Sequence, residues 1–222
     1  MHTGERLQEL FDLLSKHYGP REWWPGDTAL EVMVGAVLTQ NTNWRNVVGA
    51  IDNLRSAGVL TLESLLELDM ARLAELIRPS GYYRLKAGRL RNLLDMIVAR
   101  YDGDLSYMFD QTLDTLREDL LGVKGIGPET ADSICLYAAR KPIFVVDAYT
   151  FRILGRHHLA EPSMSYFELQ ATFMDYLDAD VDMFNEFHAL LVSLGKDFCK
   201  KSTPRCDTCP ARVWSTPDLS NG

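Results

Sequence analysis

The stretch "VKGIGPETAD", Val123 to Asp132, decides how this chain is read. Two glycines, Gly125 and Gly127, flank a single isoleucine, and Pro128 follows at once. Glycine accepts backbone angles and close approaches that a side chain forbids. Proline suits the first position of a helix, where its missing N–H costs nothing. The stretch therefore predicts a tight turn between a helix ending near Leu121 and another starting at Pro128. In such a turn the backbone N–H groups of Val123, Lys124, Gly125, Ile126 and Gly127 face outward. With the start of the second helix they can hold an anion without positive side chains. A corner between two helices that binds nothing uses the same glycines.

The rest of the chain sets the frame. It has 222 residues, enough for one or two domains and a sizeable core. Its apolar content of 46% is that of an ordinary globular protein, not of a disordered one. The net charge of −8 argues weakly against a nucleic-acid partner but leaves local basic patches open. The start "MHTGERLQEL" lacks the basic and apolar regions of a secretory leader. No apolar run approaches the length of a membrane span, so the expected location is cytoplasmic. Three of the four cysteines crowd near the C-terminus, which suits a metal site better than a disulfide framework.

Helical periodicity runs through the sequence. Leu7, Leu10, Phe11 and Leu14 share one helical face, as do Leu30, Met33, Val34, Val37 and Leu38, and later Phe187, Leu190, Leu191, Leu194 and Phe198. Further helices are expected near 43–57, 61–67, 70–77, 84–101, 112–121, 128–139, 148–156 and 165–178. Segments such as "GPREWWPGD", "RPSGYY", "YDGDLS" and "AEPSMS" punctuate them. No run alternates with period two. The expectation is an all-α protein of about ten short helices.

Beyond the second helix of the hairpin comes "KPIFVVDAYTFRILGRH". The apolar run Ile143 to Val146 ends in Asp147, where a new helix starts. Aspartate there is a standard N-cap. It also lies about twenty residues past the hairpin, a distance that one helix and a return can close. The hairpin itself has the helix–hairpin–helix pattern of sequence-independent DNA binders.

Together, "VKGIGPETAD" and "IFVVDAYTFRI" resemble the hairpin, Gly/Pro-rich loop and aspartate signature of the endonuclease III superfamily of DNA glycosylases. The likeness extends to "GAVLTQNTNW", to "SGYYRLKAGRL" and to the tail "LVSLGKDFCKKSTPRCDTCP". It implies two helical domains with the active site in the cleft between them. One is a six-helix barrel over 26–136 that contains the hairpin at about 112–139. The other joins 1–25 to 137–222 and carries the C-terminal cysteines. The implied partner is double-stranded DNA with damaged bases, met by a monomer.

The resemblance also implies roles. Asp147 would stabilise the sugar as positive charge develops on it, or steer the attacking water. Members that also cut the strand carry a lysine two residues after the hairpin's last glycine, where this chain has Glu129. A glutamate cannot form the imine that strand cleavage needs. As a plain structural residue, Glu129 would favour the positive end of its helix. Glu129 and Asp147 together look most like the 3-methyladenine glycosylase branch, so a monofunctional enzyme on alkylated purines is expected. A bifunctional endonuclease III-type enzyme acting on oxidised pyrimidines and a non-catalytic DNA-binding module are the alternatives.

Trp23 and Trp24 are candidates to stack on a cationic base, or simply to pin the N-terminal helix; Trp44 is a weaker candidate. Gln40 and Asn41 fall where family members fill the gap left by a flipped base. Arg84 and Lys86, with Arg89 and Arg91 close by, form an acid-free basic run for DNA contact, or a solvated helix face. Lys196, Lys200, Lys201, Arg205 and Arg212 make the tail basic. Cys199, Cys206 and Cys209 match three ligands of the family's 4Fe–4S cluster, but Ser215 stands at the fourth position. Cys135 is expected to be a buried apolar residue. The histidines, including His157, His158 and His188, show no metal-ligand spacing and are expected on the surface or in packing.

Overall fold

A computed structural model of the chain describes residues 2–21 and 23–214. Among these residues there are twelve α-helices and no strand. The chain divides into two compact units, Pro25–Lys141 and Met1–Trp24 with Pro142–Gly222.

The unit Pro25–Lys141 is built around α2 (Ala29–Leu38). Every residue from Leu30 to Leu38 is buried. A helix apolar on all sides belongs in the middle of a fold rather than at its surface. Around it lie α3 (Trp44–Ser56), α4 (Leu62–Glu67), α5 (Met70–Leu76), α6 (Tyr83–Tyr101), α7 (Leu105–Asp110), α8 (Leu113–Leu121) and α9 (Pro128–Ser133). Of these, α3, α6 and α9 pack directly on α2. The helix starts follow a common rule: Thr28, Asn43, Thr61, Asp69, Asp104 and Thr112 each cap a helix with a side-chain oxygen. Helix α7 was not expected, because "YDGDLS" reads as a turn. The turn is there, with Asp102 and Gly103 at positive φ, but Asp104 then caps a short helix that buries only Met108. The helix expected over 128–139 changes character midway. α9 gives way to one π-helical turn, Ile134–Ala138, in which the Ala139 N–H donates to Ile134 O at 3.0 Å.

The other unit contains α1 (Thr3–Tyr18), α10 (Ala148–Arg156), α11 (Tyr166–Met174) and α12 (Val181–Asp197). Its centre is aromatic. Phe144 stacks on Phe173 with centroids 3.7 Å apart and meets the edges of Phe184 and Phe187. The apolar run Ile143 to Val146 is buried yet pairs with no strand. Side chains satisfy its backbone instead: Gln170 Nε2 donates to Phe144 O at 2.6 Å, and the Val146 N–H donates to Tyr166 Oη at 3.4 Å. This buried connector delivers Asp147 to the start of α10. α12 begins six residues before its apolar repeat, because Asp180 accepts from the Met183 N–H and starts the helix early.

Candidate active site

Asp147 caps α10 through a reciprocal pair. Its Oδ1 accepts the Thr150 N–H at 2.8 Å and the Thr150 hydroxyl at 2.9 Å, while Thr150 Oγ1 takes the Asp147 N–H at 3.4 Å. Its other oxygen, Oδ2, lies 3.7 Å from Nε2 of His188 on α12. The carboxylate is 11% exposed. Burial by itself pushes its pKa up. His188 and the donors of Thr150 together outweigh that and hold the carboxyl below the ordinary aspartate range. The group is therefore an enclosed anion at neutral pH. Tyr149 and Lys196 stand within its field: burial and the Asp147 charge push the Tyr149 phenol up, and burial pulls the Lys196 ammonium down against the attraction of Asp147 and Asp197. α10 and α12 approach closely because Gly195 makes room. A Cβ there would sit 2.2 Å from Tyr149 Cδ1. His188 was expected on the surface or in packing, and periodicity could not have revealed it beside Asp147.

In the other unit, α8 and α9 enclose the hairpin. Gly125 has φ +98, and a Cβ on it would fall 2.5 Å from Arg89 Cγ, so glycine is required there. Gly127 has an ordinary φ of −99, and a Cβ on it would meet nothing within 4 Å. The protein itself does not demand glycine at 127; the space in front of it is simply open. α9 has no side-chain cap. Among the described residues, neither the Gly125 nor the Gly127 amide donates to a protein acceptor. Val123 and Ile126 are buried beneath the turn, while Lys124, Gly125, Gly127 and Glu129 are exposed. Glu129 lies in the first turn of α9.

Side chains from α6 and the end of α2 hold the hairpin in shape. Gln40 Nε2 donates to Gly125 O at 3.2 Å and to Thr130 Oγ1 at 3.0 Å, Arg89 donates to Gln40 Oε1, and Asn92 Nδ2 donates to Lys124 O at 2.9 Å. Gln40 is thus engaged with the hairpin in this structure. Asn41, beside it, is exposed in a left-handed conformation, φ 53.

The basic run of α6 does not form one exposed stripe. Lys86, expected at the surface, is 1% exposed. Its ammonium donates to Leu38 O at 2.8 Å and Ser80 O at 2.6 Å, which closes the C-terminal end of α2. Burial brings its pKa down to about 8, with Arg89 adding to the shift. An alternation of polar and apolar residues does not show that a lysine stem has been drawn inward by free carbonyls. Arg91 is spent in the same way on the end of α4, donating to the carbonyls of Leu65, Leu66 and Leu68. Arg84 alone of the four is exposed, its guanidinium 5.7 Å from the Tyr83 ring.

Trp23 and Trp24 are half-buried and meet edge to face at 5.5 Å, with Lys196 Nζ 5.6 Å from the Trp23 centroid. Trp44 lines a separate cavity of about 210 Å³ with Val48 and Ile51. Arg55 at its rim is bonded to Asp27, Glu31 and Asp52. Cys199, Cys206 and Cys209 share one small cavity with Arg156 and Arg212. Arg156 Nη1 lies 3.4 Å from Cys199 Sγ. Burial pushes the Cys206 and Cys209 thiols up, so a nearby positive charge is needed to ionise them. Among the described residues, no group of three or more His, Cys, Asp or Glu side chains is set to hold a single metal ion. Ser215, the position of the fourth expected ligand, lies outside the described residues. Cys135 is fully buried, its thiol pushed up to about 12 by burial, with Asp132 adding to the shift.

A hairpin that offers the Gly125 and Gly127 amides and a largely enclosed, ionised aspartate at a helix start define the class, and sequence comparison agrees. The HhH-GPD superfamily of base excision DNA repair proteins matches residues 34–179, and the chain belongs to that superfamily. It is a DNA glycosylase of the endonuclease III-like kind. It is 43% identical to the "Putative DNA repair glycosylase MJ1434" of Methanocaldococcus jannaschii, over 95% of this chain and 96% of that protein. It is 32% identical to the H. pylori 3-methyladenine DNA glycosylase solved with 1,N6-ethenoadenine, with a TM-score of 0.76 over 88% of this chain and 98% of that one. A trapped endonuclease III–DNA covalent intermediate shares the fold, with a TM-score of 0.82 at 21% identity and 97% coverage of both chains. Among the described residues no helix is long and apolar enough to cross a membrane.

Proposed function

We propose that the protein is a monofunctional DNA N-glycosylase that hydrolyses the glycosidic bond of alkylated purines such as 3-methyladenine. The observation that carries this is an enclosed, ionised Asp147 in a chain that has an acid, Glu129, at the sequence position where strand-cutting relatives keep an amine. The likeness to the H. pylori enzyme supports the same substrate class. A base alkylated at N3 or N7 already carries positive charge and leaves easily, so the enzyme has little need to protonate it. What remains is to stabilise the sugar as it becomes cationic, and a fixed carboxylate does that best where water is scarce. Asp147 takes that role and orients the attacking water. The target base must leave the stack to be reached. The hairpin holds the strand by the Gly125 and Gly127 amides, with Arg84 adding charge; the Val123 and Ile126 amides, expected to face outward, donate instead to Leu120 O and Val123 O within the turn. Asn41, and Gln40 if it releases the hairpin, fill the gap. Trp23 and Trp24 offer electron-rich faces to the cationic base.

Cys199, Cys206 and Cys209, with Arg156 beside them, are suited to hold three corners of a 4Fe–4S cluster. Such a cluster would order the basic tail rather than take part in hydrolysis. Iron analysis of anaerobically purified protein tests it; folded, active, iron-free protein would rule it out.

The test of the function is base release from single-lesion duplexes containing 3-methyladenine, 7-methylguanine or an oxidised pyrimidine, with borohydride present. Release of alkylated purines, intact strands and no trapped adduct are expected. Release of oxidised pyrimidines with strand cleavage would overturn the proposal.

A further inference from the structure

The enclosure of Asp147 has two halves, and only one of them is the helix start. Thr150 supplies three contacts, all of them through or toward Oδ1 and the Asp147 backbone. A capping pair of this kind fixes one carboxylate oxygen and leaves the other to whatever lies across from it. Across from it is α12, and the residue presented there is His188, 5% exposed, with Nε2 3.7 Å from Oδ2. We infer that His188 is a positioning residue for Asp147, holding Oδ2 from α12 while Thr150 holds Oδ1 from α10. This rests on the catalytic reading of Asp147 given above.

A histidine whose only task was to fill the space between α10 and α12 would serve equally well as a leucine. This one brings a ring nitrogen to 3.7 Å, longer than a hydrogen bond, from the one carboxylate oxygen that Thr150 leaves open. The other groups near the carboxylate do not duplicate it. Lys196 on α12 contributes charge, with its ammonium against the Trp23 ring. Tyr149 on α10 lies against Gly195 and under Arg152. Tyr166 on α11 accepts from the Val146 backbone. Burial works against the charged carboxylate, and His188 is the largest influence in its favour. Removing the ring therefore raises the Asp147 pKa. A depressed aspartate keeps its charge until the pH falls through its folded pKa, so loss of His188 moves that point to higher pH.

Two variants separate positioning from packing. His188→Gln places an amide N–H near the position of Nε2, and His188→Leu keeps bulk without a donor. The direct readout is the Asp147 carboxyl carbon, followed by NMR through an acid titration of the full-length protein. The midpoint should move to higher pH in His188→Leu and return most of the way in His188→Gln. In single-turnover release of an alkylated purine, His188→Leu should lose about tenfold or more, with the acid limb moved to higher pH, while His188→Gln stays within about threefold of the parent. Affinity for an uncleavable abasic duplex should not change in either. The same carboxyl titration in all three proteins overturns the inference, whatever the excision rates. So does an equal loss of rate in both variants that follows a fall in Tm. Asp147→Asn is the control on the underlying reading. If that variant still excises, the catalytic assignment fails, and the carboxyl titration still decides whether His188 acts on Asp147.

Discussion

Two carboxylates stand at two helix starts in this protein, and they have little else in common. Asp147 begins α10 and Glu129 lies in the first turn of α9. In sequence both follow a glycine-, proline- or apolar-rich approach, and both satisfy the same preference for acid at the positive end of a helix. In the structure Asp147 is enclosed by Thr150 and His188 and held ionised, while Glu129 is exposed to solvent. A position in a helix sets a carboxylate's local energetics. Its chemistry depends on what the neighbouring helices bring to it.

The sharpest way to break this contrast is Asp147→Asn. Asparagine caps a helix about as well as aspartate, so the fold and the affinity for DNA should survive. The charge felt by the developing cation is lost, and single-turnover base release should fall by two to three orders of magnitude, about 3–4 kcal/mol. A fall of less than about tenfold, roughly 1.4 kcal/mol, would mean that Asp147 is only a cap and no different in kind from Glu129.

On the hairpin side the scaffold has the next largest effect. Lys86→Met strips the partner from the carbonyls of Leu38 and Ser80. It should cost roughly 3 kcal/mol, and so roughly 10 °C in Tm. Because the folded pKa of Lys86 is about 8 against 10.5 when unfolded, the unfolded chain binds more protons between those values. The stability of the parent over the variant should therefore widen as the pH rises from 8 toward 10.5. The salt dependence of DNA binding should be unaltered, since Lys86 faces no phosphate. A lowered salt slope with unchanged Tm would return Lys86 to the surface.

How much of this was readable in the sequence follows from the same contrast. The all-helical fold was legible, because long apolar periodicities such as that of α2 and polar caps such as Thr28 and Thr112 are local signals. The hairpin and Asp147 were legible through the motif that carries them. α7 was not, since one buried methionine makes no periodicity. Nor were the buried ends of Lys86 and Arg91, because the carbonyls that draw them inward belong to other elements. His188 was passed over for the same reason: it meets Asp147 only when α12 packs on α10.

Gly125→Ala tests the hairpin itself. A methyl at φ +98 is strained and displaces Arg89, which loosens its bond to Gln40. Duplex affinity should fall about tenfold, or about 1.4 kcal/mol, with excision at saturating enzyme nearly unchanged. An equal loss in the chemical step would show that the hairpin does more than hold the strand.

The smallest effect is expected at Glu129, and it bears most directly on the contrast. Glu129→Gln keeps the shape, removes the charge and sits on an exposed first turn, so stability should change by no more than about 0.5 kcal/mol. If Glu129 only satisfies a helix start, excision of alkylated purines should stay within about twofold of the parent. Glu129→Lys adds an amine where strand-cutting relatives have one. An imine needs that amine close to the sugar carbon and partly unprotonated, and an exposed lysine keeps a high pKa because nothing desolvates it. A weak adduct with abasic DNA under borohydride is the most this substitution should yield, and strand cleavage should remain far slower than base release. Efficient lyase activity from the single change would mean that the start of α9 is as closely prepared for chemistry as the start of α10. The difference between the two carboxylates would then lie in the side chain and not in its surroundings.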